Sequence, residues 1–272
     1  MASTTLRDPN FLIIGAARCA NGWLRYNLSQ HPEVFLPAVP LDYFASGVPP
    51  FDGPPFGDAR RRVGTSRRWY RLQLIDAEDR PLVGEASAGY LAQVNRPGSV
   101  AAAIDAALPG VKLIALVRSP VERLYSAFAR AVQTGHLPVG TDLVELIEAG
   151  GPAVERLDLI GGGDYALSLH PYLTRFGERL LVVRVDDLLA DPAATYDAVL
   201  AHLGATPGFR PDGLERVRFA SRANGLVPPL DVATRRHLYR RYRRGVEDLE
   251  ALLGWDLSAW DPGPDLVSPA SS

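Results

Sequence analysis

Cysteine, lysine, net charge and long apolar runs are all scarce in this sequence of 272 residues. The one cysteine, Cys19, excludes an internal disulfide and disfavours a cysteine-ligated metal cluster, and both points suit a reducing compartment. The 29 basic and 31 acidic residues give a formal charge of −2, so no overall field favours nucleic acid or an anionic membrane. No apolar run approaches the ~20 residues of a membrane helix, and the N-terminus lacks a signal-peptide pattern. These absences predict a soluble, cytoplasmic protein without nucleic-acid, membrane or metal partners.

The residues that are present favour one α/β domain over residues 1–272. Hydrophobic residues make up 47% of the chain, which is enough for a sizeable core. Short apolar runs predict buried strands, and apolar residues at helical spacing predict helices between them. The strands are predicted at 11–15, 81–87, 111–117 and 179–185, and the helices at 21–30, 58–75, 101–108, 121–133, 165–176, 193–204 and 234–254. This alternation predicts a three-layer αβα fold with a central parallel sheet.

Two segments show neither periodicity. Residues 36–57 are rich in proline and glycine and carry four aromatic residues, and a loop of this length in a compact domain favours a functional role. Residues 261–272 are predicted to form a frayed tail.

The stretch FLIIGAARCANGWLRYNLSQHPEVFLP, residues 11–37, places a tight Gly/Ala-rich loop between a predicted strand and a predicted helix. Such a loop presents backbone N–H groups and the positive end of the helix dipole, which attract a phosphate or sulfate. Arg18 adds a cation, and its small neighbours let the backbone approach the anion. The loop lacks the Lys and Ser/Thr of G-x-x-x-x-G-K-[ST] and the pattern G-x-G-x-x-G, which disfavours a kinase or a dinucleotide site. A tight turn without a ligand is the alternative.

A second stretch, VRSPVERLYSAF at residues 117–128, has the same character. It puts Arg118 at the end of a predicted strand, Pro120 at a helix start and Ser126 eight residues after the arginine. An arginine and a hydroxyl so placed can converge on one phosphate, although a helix cap with a surface arginine is the alternative. Because ligands of parallel sheets bind beyond the carboxyl ends of the strands, both stretches are predicted at one edge, together with Asp186 and Asp187.

These two stretches resemble the cofactor loops of the PAPS-dependent sulfotransferases, especially the bacterial and Golgi carbohydrate type, where PAPS is 3′-phosphoadenosine 5′-phosphosulfate. Further segments resemble that type in the right order, and the resemblance covers nearly the whole chain. They are RRWYRLQL (67–74), GEASAGYL (84–91), the stretch 161–205 with its G-x-Y, F-G and D-L-x-x-D-P elements, and RANGLVPPL (222–230). The resemblance implies a P-loop-like sulfotransferase fold with PAPS as cofactor, PAP as product and no metal.

The resemblance also implies roles for particular residues. The 5′-phosphosulfate would be held by Arg18, Cys19, Ala20, Asn21, Gly22 and Trp23, with Trp23 where related enzymes stack an aromatic ring on adenine. The 3′-phosphate would be held by Arg118 and Ser126, helped by Arg222, Asn224 and Gly225.

The sequence departs from the family at two places. Arg18 stands at the position of the usual lysine that contacts the sulfuryl group, and Asn21-Gly22 replace the usual threonines. Pro40, in VPLDYF, stands near the glutamate that takes the acceptor's proton in the carbohydrate type. Asp42 and Glu85 are the carboxylates that could replace it, with Arg18 as the third catalytic candidate. A turn residue in a Pro-rich loop is the alternative for Asp42.

The predicted function is sulfuryl transfer from PAPS to a hydroxyl of a small-molecule acceptor, such as a secondary metabolite. The aromatic, Pro-rich loop 36–57 would build an apolar lid over the acceptor. A degenerate or repurposed relative that binds PAP or another nucleotide without sulfate transfer is the alternative.

Other conspicuous residues favour structural roles. Asp186 and Asp187 are predicted to cap a helix or pair with arginines rather than bind metal. Cys19 lies at a predicted helix start, where its pKa could be lowered, but no histidine is close in sequence, so it is predicted to be a loop residue rather than a nucleophile. A run of arginines favours a solvated helix face over an anionic-acceptor site, and comprises Arg60, Arg61, Arg62, Arg67, Arg68 and Arg71.

Overall fold

A computed structural model describes residues 6–45, 66–92, 96–216 and 225–263. These residues contain a sheet of five strands in which every neighbouring pair is parallel. The strand order across the sheet is β2-β3-β1-β4-β5. The strands are β1 (Phe11–Gly15), β2 (Val34–Phe35), β3 (Leu82–Ala86), β4 (Lys112–Val117) and β5 (Leu180–Arg184).

Helices flank this sheet and give the chain its three layers. Within the described ranges they are α1 (Asn21–Leu28), α2 (Arg67–Leu72), α3 (Pro97–Ala107), α4 (Pro120–Gln133), α5 (Leu143–Ala149), α6 (Pro152–Arg156), α7 (Tyr165–Phe176), α8 (Val185–Ala190), α9 (Pro192–Leu203) and α10 (Val232–Leu253). No helix in this part of the chain is both long enough and apolar enough to cross a membrane.

The prediction of a three-layer fold with a parallel sheet is confirmed. All five residues of β1 are buried, as are the last five of β4, which is typical of parallel strands covered on both faces. The four predicted strands are present, and the predicted helices that lie within the described ranges are present too. Residues 58–65 of the predicted helix 58–75 lie outside the described residues, and α2 forms within the remainder.

The sequence patterns missed four elements. Strand β2 has only two residues, which is too short for a periodic signal. Helices α5, α6 and α8 have five to seven residues each and were not predicted. Of these elements, α8 directly follows β5, whose last residue pairs with the last residue of β4.

The strand order decides which loops meet. β1 lies between β3 and β4, and parallel strands end at the same edge of a sheet. The loop after β1, the turn after β3 and the start of α4 after β4 are therefore neighbours. The first and third segments carry the predicted cofactor loops, and Glu85 lies in β3 just before the second.

Candidate functional site

The β1–α1 loop, residues 15–20, has an unusual backbone. Arg18 and Ala20 both have left-handed conformations, with φ of 71° and 63°, and Gly15 has φ of 130°. Left-handed non-glycine residues cost free energy and concentrate at functional sites, where the surrounding structure holds them. Asn21 braces this loop, because its side-chain amide donates to the Ala16 carbonyl over 2.6 Å.

The two glycines of this region serve different needs. A Cβ on Gly15 would lie 2.7 Å from the Ala88 carbonyl oxygen, so the turn after β3 packs directly on the start of the loop. A Cβ on Gly22 would meet nothing within 4 Å. Gly22 is the second residue of α1, so its N–H has no acceptor within the helix. Its open face leaves room for an anion at this helix end.

Arg18 joins the two predicted cofactor loops. Its Nε donates to the Ser126 hydroxyl over 3.1 Å, and Ser126 is buried in α4. Burial and the neighbouring guanidinium groups of Arg130, Arg118 and Arg123 lower the pKa of Arg18 to about 10. Arg18 therefore lies among several cations near the ends of β1 and β4, which favours the binding of an anion there.

Arg118 lies at the end of β4, as predicted, and is mostly buried. It donates to the Arg18 carbonyl and to Glu122, both over 3.4 Å. Burial lowers the pKa of the Arg118 guanidinium. Glu122 also pairs with Arg235 at the start of α10, so this carboxylate lies between two arginines.

Arg123, for which the sequence pattern predicts no role, contacts the β1–α1 loop. It is 1% exposed and donates from Nη1 to the carbonyls of Asp158 and Leu159 over 2.6 and 2.8 Å, and from Nε to Ala17 over 3.4 Å. A Cβ on Gly162 would overlap its guanidinium. Arg123 thus ties the loop to the segment before α7. Its sequence signal was weak, because it appears as one more arginine on a helix.

The predicted adenine residue, Trp23, is largely buried, and its indole N–H donates to the Leu214 carbonyl over 2.9 Å. One edge still reaches a cavity of about 600 Å³. The cavity opens beside the anion cradle, and its lining includes Gly22, Trp23, Tyr26, Asp212, Gly213 and Arg216. Tyr26 is 57% exposed and offers this cavity a second aromatic ring.

Both candidate bases lie together on the other side of β1. Asp42, with φ of 48°, is 5% exposed, and Glu85 near the end of β3 is fully buried. Ser87 connects them, because its hydroxyl accepts from the Asp42 N–H over 2.9 Å and donates to Glu85 over 3.0 Å. Burial raises the pKa of Glu85 to about 7, and the charge of Asp42 contributes to the rise.

Several predicted ligands are not tested. Arg222 and Asn224 lie outside the described residues, as do residues 46–57 of the predicted lid, Arg60, Arg61, Arg62, and residues 264–272 of the predicted tail. Gly225 is exposed with φ of 82°.

The prediction that Cys19 is a loop residue is consistent with its placement. It is fully buried, with Sγ 3.5 Å from the Tyr165 hydroxyl, and burial raises the pKa of the thiol. A lowered pKa at the helix start is therefore wrong, because desolvation outweighs the nearby positive charge.

The acidic pair after β5 has structural partners. Asp186 accepts from the Trp260 indole over 3.0 Å, and Asp187 accepts from Arg184 over 2.6 Å. Among the described residues no group of three or more potential ligands could hold a metal ion.

Two members of the predicted arginine run have a structural partner, because Arg67 and Arg71 both form ion pairs with Asp8.

Comparison with known proteins gives relatives of one kind, although no family model matches the sequence. In an alignment of 284 positions, gaps included, that covers 93% of this chain, it is 25% identical to the bovine bifunctional heparan sulfate N-deacetylase/N-sulfotransferase 2, of which it covers 31%. It is 28% identical over 133 residues, 46% of its length, to the membrane-associated sulfotransferase kil1 of Dictyostelium discoideum, of which it covers 23%. The chain thus spans about a third or less of the length of these relatives.

Solved structures agree with these relatives. A sulfotransferase from Alicyclobacillus acidocaldarius superposes with a TM-score of 0.75 at 26% identity, covering 93% of this chain and 99% of that one. The sulfotransferase domain from the curacin biosynthetic pathway has a TM-score of 0.55 at 15% identity, over 93% of this chain and all of that domain. The second likeness concerns the fold alone.

Proposed function

We propose that this chain, which is similar to sulfotransferases in sequence and in fold, transfers a sulfuryl group from PAPS to a hydroxyl of a small-molecule acceptor. The observation that carries the proposal is the hydrogen bond between Arg18 and Ser126, which joins the two predicted phosphate sites at one sheet edge.

The described residues fit the chemistry of PAPS. This cofactor has two anionic ends, and the site offers an open helix start at Gly22 and the guanidinium of Arg18, which bonds Ser126 and has three further arginines near it. A cavity of about 600 Å³ with two aromatic side chains, Trp23 and Tyr26, lies beside them and can take the adenine. When bound, PAPS supplies the sulfuryl group, and the chain's own residues orient the phosphates and take up a proton.

Asp42 is the base that we propose. The acceptor's hydroxyl oxygen forms a bond to sulfur, the bond from sulfur to the phosphate oxygen breaks, and the hydroxyl proton passes to the Asp42 carboxylate. Arg18 stabilises the charge on the departing phosphate as a cation in the lysine position. Glu85 is the less suitable base, because its carboxylate already accepts three side-chain hydrogen bonds.

The acceptor that we propose is small and apolar rather than polyanionic. Asp42 is flanked by the aromatic residues Tyr43 and Phe44, and Tyr43 stacks on Tyr70. Arg67 and Arg71, two arginines that lie near Tyr43, are engaged by Asp8. We also propose a cytoplasmic location and no nucleic-acid or membrane partners, and these points stay proposals, as does the acceptor class. Because one relative is named for heparan sulfate, a carbohydrate is the alternative acceptor to test.

The test has two arms. Isothermal titration with PAP is expected to give binding, with AMP at least tenfold weaker because it lacks the 3′-phosphate. A labelled-sulfate assay with PAPS then follows transfer to phenols, aliphatic alcohols, amines and heparan-type oligosaccharides. Transfer to a small hydroxyl compound supports the proposal, and transfer to the oligosaccharide alone would overturn the acceptor class.

A second function rests on Asp42. Both of its carboxylate oxygens are buried, and Pro40 stands where the family carries its glutamate. A protein that binds PAP without transferring sulfate would show this combination. PAP binding without transfer to any acceptor class would favour this second function.

A further inference from the structure

Glu85 is the centre of a buried hydrogen-bond network. Its carboxylate accepts from the hydroxyls of Tyr70 and Ser87, each over 3.0 Å, and from the hydroxyl of Tyr90. All four residues are at most 1% exposed. A buried carboxylate with three donors is held in one geometry, because losing a donor would leave its charge poorly solvated.

Two of these donors also hold the backbone of residues 41–45, which we call the 41–45 segment. The Asp42 N–H donates to the Ser87 hydroxyl over 2.9 Å, and the Phe44 N–H donates to the Tyr90 hydroxyl over 3.3 Å. Each hydroxyl therefore accepts from the segment and donates to Glu85. The carboxylate fixes the direction of both hydroxyl protons and leaves their lone pairs for the two amides.

Aromatic contacts strengthen the same attachment. The rings of Tyr43 and Tyr70 stack with centroids 4.3 Å apart at an angle of 9°. The Phe44 ring lies edge-on to both Tyr70 and Tyr90, with centroids 5.8 Å away in each case. Three consecutive residues of the 41–45 segment thus contact side chains that bond Glu85.

We infer that Glu85 is a positioning residue that holds the 41–45 segment, and with it Asp42, at the acceptor side of the site. This inference rests on the proposed sulfuryl transfer with Asp42 as base. It assigns Tyr90 and Ser87 as the two links between the anchor and the segment. Leu41 packs against Val83 of β3, and the Asp42 N–H bonds Ser87 in the turn after it.

The network has an electrostatic signature of its own. The titratable groups that face Glu85 within the described residues are Asp42, Tyr70 and Tyr90, and burial is the main cause that raises the pKa of Glu85 to about 7. Ionisation of Glu85 adds a second negative charge beside Asp42, which makes the base a stronger proton acceptor. Turnover is therefore expected to rise through an inflection near pH 7.

The first experiment is a double-mutant cycle on kcat. Tyr90→Phe removes the hydroxyl that links Glu85 to Phe44 and is expected to lower kcat about tenfold, with the Kd for PAP within about twofold of the wild type. In an Asp42→Asn background the same change is expected to have no further effect, because it acts through Asp42. Equal loss in both backgrounds, no loss in either, or a matching loss of PAP binding would overturn the inference.

The second experiment uses Glu85→Gln, which keeps the shape and removes the charge. Its pH–kcat profile is expected to lack the inflection near pH 7, and an inflection that persists contradicts the role of Glu85. Tyr196→Phe is the matched control, since it removes a buried tyrosine hydroxyl that donates to the Asn27 carbonyl over 3.4 Å, outside the Glu85 network. Its kcat and pH profile are expected to match the wild type.

A third measurement keeps the inference separate from the proposed function. Hydrogen exchange of the Asp42 and Phe44 amides reports the attachment whether or not sulfate is transferred. Exchange at Phe44 is expected to rise at least tenfold in Tyr90→Phe, and exchange at Asp42 likewise in Ser87→Ala, with no change in Tyr196→Phe. An inactive wild type with this exchange pattern would remove the proposed function and leave the anchor, whereas unchanged exchange would remove the anchor.

Discussion

At the scale of single residues, Arg18 is the strongest test of the cofactor site. Its guanidinium bonds Ser126, and burial together with three neighbouring arginines lowers its pKa, so a bound anion would stabilise its charged form. We expect Arg18→Ala to weaken PAP binding by about 10- to 100-fold, as befits a charge-assisted hydrogen bond. Arg18→Lys keeps a charge and should lose less. Isothermal titration checks both variants, and unchanged PAP affinity in Arg18→Ala would show that the loop does not hold the cofactor.

Removing the charge of Glu122 is expected to strengthen PAP binding rather than weaken it. Its carboxylate contacts Arg118, where the 3′-phosphate is proposed to bind, while Arg235 holds its other oxygen. The carboxylate therefore competes with the phosphate for one guanidinium. We expect Glu122→Gln to tighten PAP binding about threefold to tenfold and to leave AMP binding unchanged, because AMP has no 3′-phosphate. An equal shift for both nucleotides would mean that Glu122 acts on the whole site rather than on the 3′-phosphate.

The residues that could be predicted are those whose role follows from local position. Arg18 and Arg118 directly follow buried strands, and Ser126 lies two helical turns further on. Arg123 could not be predicted, because its partners are carbonyls about 35 residues away in sequence. The link from Glu85 through Ser87 to Asp42 was missed for the same reason: it joins two elements across 45 residues.

At the scale of elements, the β1–α1 loop separates a folding requirement from a binding requirement. Gly15→Ala would strain a backbone with φ of 130° and push a methyl group against the Ala88 carbonyl. We expect it to lower the free energy of unfolding by at least about 2 kcal/mol in urea titrations.

Gly22→Ala is the matched control for this loss. Its Cβ would meet no protein atom within 4 Å, so the fold should keep its stability to within about 0.5 kcal/mol. The new methyl group would lie at the open helix start, where the phosphosulfate is proposed to bind, and PAP affinity should fall. Equal stability losses in both variants would contradict this division of roles.

Elements with strong periodic signals were predicted, and short ones were not. β1 and β4 are continuous apolar runs because helices cover both faces of a parallel sheet. β2 is recognisable only through its pairing with β3, which places Val34 opposite Leu82. Helices α5, α6 and α8 have five to seven residues each, which is about two turns at most. Their apolar residues therefore do not recur often enough to show a helical period.

At the scale of the whole molecule, the strand order brings the two sides of the site together. The cofactor loops follow β1 and β4, while Glu85 lies in β3 on the other side of β1. A central β1 therefore has the cation cluster on one side and the carboxylate network on the other. This arrangement is the reason that we propose the β1–α1 loop as the place where the sulfuryl donor and the hydroxyl acceptor meet. The sequence predicted the shared edge through the rule for parallel sheets, but not the position of β3 beside β1.

The pH dependence of global stability follows from the same network. Glu85 has a usual pKa of 4.5 that burial raises to about 7 in the folded chain, so the folded state binds more protons than the unfolded state between these values. The contribution of Glu85 to the free energy of unfolding is most favourable below about pH 4.5, declines as the pH rises to about 7 and is constant above that. A shift of this size corresponds to about 3 kcal/mol.

We therefore expect the free energy of unfolding of Glu85→Gln, measured relative to the wild type by urea titration, to rise by up to about 3 kcal/mol between pH 4.5 and pH 8. The other titrating groups are common to both proteins and cancel in this difference. The direction is opposite to that of an ordinary surface carboxylate, because the charged form of Glu85 must be solvated by three hydroxyls in place of water. A difference that does not change with pH would mean that these hydroxyls fully compensate the burial of the charge.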